Sequence, residues 1–94
     1  MKNLIPPEGR HVTLMYRDGI VVGGLLTPCS VSDGYYDLQS DHCQQYILGV
    51  DCYRWKGFNA WLYIGDQRIE VEVDGGHEID GGFNIDLYDA RPYL

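Results

Sequence analysis

Apolar and polar residues alternate along most of this chain with the two-residue period of β-strands. Across residues 11–17, Val12, Leu14 and Tyr16 share one face while Thr13, Met15 and Arg17 share the other. Asp18-Gly19 then signals a tight hairpin, since both residue types tolerate turn conformations. A second strand follows at 20–26, and its Gly23-Gly24 pair predicts a bulge or bend. Residues 27–34 have loop composition, and 35–39 form a short third strand.

The middle of the chain reads two ways. Ser40 can cap a short helix over 41–48, with Asp41 at its positive end and Gly49 as its stop. The same residues also suit a strand over 45–55 kinked at Gly49. A strand is expected over 50–55, with 41–48 left open between helix and strand. Further strands are expected at 60–64 and 67–74. The second places Ile69, Val71 and Val73 inside, and Glu70, Glu72 and Asp74 outside. Gly75-Gly76 and Gly81-Gly82 then mark a corner leading to 83–89, with Phe83, Ile85 and Leu87 inside and Asn84, Asp86 and Tyr88 outside.

Five to seven short strands in 94 residues predict a mainly β single domain over 1–94. The expected form is a small antiparallel barrel or a strongly curved sheet, with at most one short helix near 41–48. No apolar run approaches the roughly 20 residues of a membrane helix. The N-terminal residues lack the apolar core of a secretory signal. With three cysteines (Cys29, Cys43 and Cys52) this points to a cytoplasmic protein with reduced thiols.

Charge sharpens the picture. Residues 1–65 carry six acids and five bases, net −1, whereas residues 66–94 carry eight acids and two bases, net −6. Those eight, Asp66, Glu70, Glu72, Asp74, Glu78, Asp80, Asp86 and Asp89, are the expected partner-binding residues. On a strand, Glu70, Glu72 and Asp74 stand about 6.8 Å apart, close to the spacing of phosphates along a nucleic-acid strand. If 83–89 pairs with 67–74, Asp86 joins them. Like charges so close cost stability, so the row is either a solvated face or a surface for a basic partner. Net −7 argues against binding nucleic acid directly.

Other chemistry is weakly signalled. Asp74, Glu78 and Asp80 offer hard oxygens for calcium, but EF-hand spacing is absent and turn chemistry explains the segment better. Cys29, His42, Cys43 and Cys52 number enough for zinc but form no knuckle. No nucleophile elbow, phosphate-cradling loop or zinc-protease motif occurs, so neither enzyme activity, metal nor cofactor is expected. Tyr46, Tyr53, Trp55, Phe58, Trp61 and Tyr63 crowd the centre, and their expected role is to fill the barrel. A contact patch of Tyr53, Arg54, Trp55 and Trp61 is the second reading. Tyr35, Tyr36 and Tyr93 are expected nearer the surface.

The function expected from these features is a non-enzymatic acidic inhibitor that docks its C-terminal third on a basic, nucleic-acid-binding protein. In size and charge alone the chain is similar to phage anti-defence proteins (anti-CRISPR, anti-restriction) and toxin-immunity proteins. The alternatives are an assembly subunit of a virion or complex that pairs through edge strands, and a nucleotide or small-ligand module using the central aromatics.

Overall fold

Six strands close on themselves in the computed structural model, which describes residues 1–41 and 45–89. They are β1 (Arg10–Met15), β2 (Val21–Pro28), β3 (Tyr35–Ser40), β4 (Asn59–Ile64), β5 (Gln67–Ile79) and β6 (Gly82–Tyr88). One α-helix among the described residues, α1 (Gln45–Arg54), connects β3 to β4. The barrel order is β1-β2-β3-β6-β5-β4, antiparallel throughout. It consists of two three-stranded meanders, closed where β1 meets β4 and β3 meets β6. Every strand has two neighbours, so no strand is an open edge along its whole length.

The period-2 pattern decides what lies inside. Val22, Leu14, Leu62 and Ile69 come into register as one interior layer, and Leu26, Leu38 and Ile85 as another. All are buried. The interior is mostly aliphatic, with Tyr16, Tyr36 and Phe83 as its aromatic members. The central aromatics therefore do not fill the barrel. Tyr46, Tyr53 and Phe58 are exposed, and Trp55, Trp61 and Tyr63 are half-buried. Strand alternation explains Trp61 and Tyr63, since Ala60, Leu62 and Ile64 take the inward positions. Tyr36 is buried for the same reason, contrary to its expected place near the surface. Tyr93 lies outside the described residues.

Residues 50–55, expected as a strand, instead belong to α1 and the turn after it. As a strand, this segment would place Asp51 or Arg54 among apolar residues on either face. As a helix it brings Leu48 and Cys52 one turn apart and buries both against the barrel. Gly49 lies within the helix, where an added Cβ would stand 3.7 Å from the Phe83 ring. Of the open stretch 41–48, residues 45–48 are helical and 42–44 lie outside the described residues.

The glycines also act differently from expectation. β2 runs through Gly23-Gly24 without a register shift. Gly24 is needed because a Cβ there would stand 2.2 Å from the Gln39 carbonyl oxygen of β3. The register shift occurs between Val73 and Gly75, where Gly75 has φ 130°. β5 bends there and continues to Ile79, so the tight turn is confined to Asp80-Gly81. No helix among the described residues is long and apolar enough to cross a membrane.

Candidate partner-binding face

The inward packing of Ile69, Val71 and Val73 forces Glu70, Glu72 and Asp74 outward. Glu70 is opposite Trp61 of β4, and Trp61 is opposite Met15 of β1. Glu72 stands between Asn59 of β4 and Tyr88 of β6. Tyr88 in turn faces Tyr35 of β3, their ring centroids 4.6 Å apart. The acidic row thus runs between a tryptophan on one side and a tyrosine pair on the other. Glu70 and Trp61 are already engaged with neighbours. Asn59 Nδ2 donates to Glu70 Oε1 at 2.7 Å, and the Arg68 guanidinium lies 4.1 Å from the Trp61 ring centroid. The charges of Asp74 foremost, with burial and Glu72, hold the Tyr35 hydroxyl above its ordinary pKa.

The other acids divide. Asp66 is exposed at the β4–β5 turn, and Glu78 and Asp80 are exposed beyond the bulge. Asp86 is on the outer face but belongs to a different cluster, with Asp37, Asn84 and His77. Burial, then the charge of Asp37, raises the Asp86 carboxyl above its usual range, against the lowering effect of His77. Asp89 is no surface residue. It is 1% exposed and lies 3.6 Å from the N-terminal ammonium of Met1, which removes it from the expected interface.

The second expected patch does not assemble. Trp55 packs edge-on to Phe58, with the Arg17 guanidinium over both rings. Trp61 stays with Arg68, Tyr53 projects from α1, and Arg54 reaches Asp18 at 3.6 Å. A cleft of about 480 Å³ beside Trp61 is lined by Met15, Arg17, Asn59 and Glu70, and so continues the acidic face. Among the described residues, no group of three or more His, Cys, Asp or Glu side chains could hold a metal ion. His42 and Cys43 lie outside the described residues.

Sequence reasoning missed one cluster entirely. The β1–β2 turn carries Asp18, and α1 brings Asp51 beside it. Asp51 is 4% exposed, and its Oδ2 faces no hydrogen-bond donor. Burial first, then the neighbouring Asp18, pushes the Asp51 carboxyl up to about 6, with Arg54 opposing. Asp18 is held below the usual carboxylate range. Desolvation works against that shift, but bonds from the Asp51 carboxyl and the Ile20 N–H and the Arg54 charge outweigh it. Next to this pair, Tyr16 and Cys52 form a buried contact, Oη to Sγ 3.1 Å. Desolvation pushes the Cys52 thiol up to about 11, which leaves it a packed thiol rather than a nucleophile. The available signal was an α1 segment apolar on too many sides for a helix with one buried stripe. Comparison with protein-family models, curated proteins and solved structures finds no match to this chain.

Proposed function

We propose that this protein is a non-enzymatic acidic binding protein whose outer β4–β5–β6 face docks on a basic, nucleic-acid-binding protein. One observation carries the reading: Glu70, Glu72 and Asp74 line one strand between Trp61 and the Tyr35–Tyr88 pair. Carboxylates attract a basic surface, while aromatic rings offer arginine a stacking platform and supply apolar area. The carboxylate spacing suits a groove shaped for a phosphate backbone. Inhibition of the phage anti-defence kind is the specific form of this reading, supported by small size and net charge of −7.

Affinity capture from candidate host lysate tests it with three baits. The first is the unaltered protein. The second carries Glu70→Lys with Glu72→Lys, and the third carries Asp66→Lys with Glu78→Lys, an equal change of charge outside the row. The expected result is a basic protein retained by the first and third baits, lost by the second, and released as salt rises. Equal loss from both variants reduces the effect to bulk charge and overturns the assignment of the face.

A further inference from the structure

The outer side of α1 and the adjoining β1–β2 hairpin present an apolar surface that the barrel does not use. Ile20, Tyr46, Ile47 and Val50 are all exposed. Together with Asp18, Asp51 and Arg54 they line a pocket of about 250 Å³. Its walls are apolar and its charged members cluster at one side. That size suits one long side chain better than a cofactor, since small-molecule sites typically span about 300–1,000 Å³.

The acid pair is incompletely satisfied. Arg54 approaches Asp18 at 3.6 Å from the rim, leaving two carboxyls with one guanidinium between them. When both are ionised, one negative charge is unmatched. Asp51 Oδ2 is fully enclosed, and the partly open Asp18 carboxyl is the member of the pair that the pocket exposes. An unmatched carboxylate at the side of an apolar pocket is relieved most strongly by a hydrogen bond from a cation. The side chains that combine a cationic donor with an apolar stem are lysine and arginine.

We infer that this pocket anchors a lysine or arginine side chain of a partner protein, its stem along Ile20, Ile47 and Val50 and its head on Asp18, where the extra charge of the Asp18–Asp51 pair is felt. The occupant is chosen by charge complementarity. An apolar residue would leave the extra charge unmatched, and an acidic one would add a third negative group. The site is separate from the acidic row of β5 and stands whether or not that face binds anything.

The test is a titration of the ¹⁵N-labelled protein with acetyl-Leu-Arg-Leu-amide, followed by amide chemical shifts at pH 7.5. Acetyl-Leu-citrulline-Leu-amide, which keeps the shape without the charge, is the control. The arginine peptide is expected to give saturable shifts at residues 20, 47, 50, 51 and 54, with the citrulline peptide at least tenfold weaker. Asp51→Asn should reduce binding to a similar degree. Because a buried substitution can disturb folding, Val50→Arg supplies a second variant at an exposed position. Its own guanidinium can enter the pocket, and it should also weaken binding at least tenfold. Equal binding of the two peptides, shifts centred on Glu70 and Glu72, or undiminished binding by Val50→Arg with an intact spectrum each overturn the proposal.

Discussion

Asp37 and Asp86 face each other in the β3–β6 register, and the side-chain amide of Asn84 donates to both, at 3.1 and 2.9 Å. Asn84 is on the outward side of β6 yet is only 4% exposed. It offsets a like-charge pair that would otherwise oppose the strand pairing closing the barrel. Asn84→Ala should therefore cost about 1–3 kcal/mol at pH 7, the range for leaving buried polar partners unmatched. The loss should shrink in acid, because the raised Asp86 carboxyl takes up a proton above the ordinary carboxylate range and removes the repulsion. Urea unfolding at neutral and at acid pH measures both. A loss independent of pH would assign Asn84 to packing alone.

The Asp18–Asp51 pair makes stability depend on pH with a defined sign. Asp51 holds its proton up to about pH 6 when folded but releases it near 3.8 when unfolded. Folding thus takes up a proton between these values, and the contribution fades as pH rises through about 6. Asp18 is shifted downward, so its contribution is present above the ordinary range and lost in acid. The pair is most stabilising while it holds one proton. At about 1.4 kcal/mol per pKa unit, its share should fall by on the order of 1–2 kcal/mol from pH 5 to 7.5. Asp51→Asn, which keeps a donor toward Asp18, should flatten this part of the profile in thermal melts. An unchanged profile would mean that other groups set it.

Neighbouring glycines of β2 should respond very differently to the same methyl group. At Gly24 a Cβ meets the Gln39 carbonyl oxygen at 2.2 Å, backbone that cannot move without parting β2 from β3. At Gly23 the nearest atom is Asp41 Oδ2, at 3.5 Å. Gly24→Ala should cost about 3 kcal/mol or more, whereas Gly23→Ala should stay within about 0.5 kcal/mol of the parent. Chemical denaturation of the two variants side by side decides it.

The compactness of the acidic face can be read from one hydroxyl. Tyr35 should titrate above free tyrosine, because Asp74 and Glu72 oppose formation of its phenolate. Asp74→Asn removes the charge with the larger effect and should move the titration down toward the ordinary value. Carbon-13 NMR of the tyrosine ring carbons resolves this residue from the other seven. No movement would place Asp74 away from the tyrosine pair.

Most of the barrel was legible in the chain because a strand with one buried face writes its burial directly into alternate residues. Ile69, Val71 and Val73 against Glu70, Glu72 and Asp74 is such a record, and both faces lie where the alternation puts them. The Asp18-Gly19 hairpin was legible because turn geometry is local. α1 was not, since its ten residues carry apolar side chains on several sides and no single period dominates.

By itself, then, the sequence determined the strands, their faces and the acidic line along β5, all set by short-range periodicity. Only the tertiary structure decided which residues from distant segments meet. It set Asp37 against Asp86, buried Asp89 beside the N-terminus, gave Trp55 and Trp61 different ring partners, and brought Asp51 to Asp18 beside an apolar pocket. These contacts depend on barrel closure and on where the helix packs. Both arise from burying the whole apolar surface at once, which no local stretch of residues encodes.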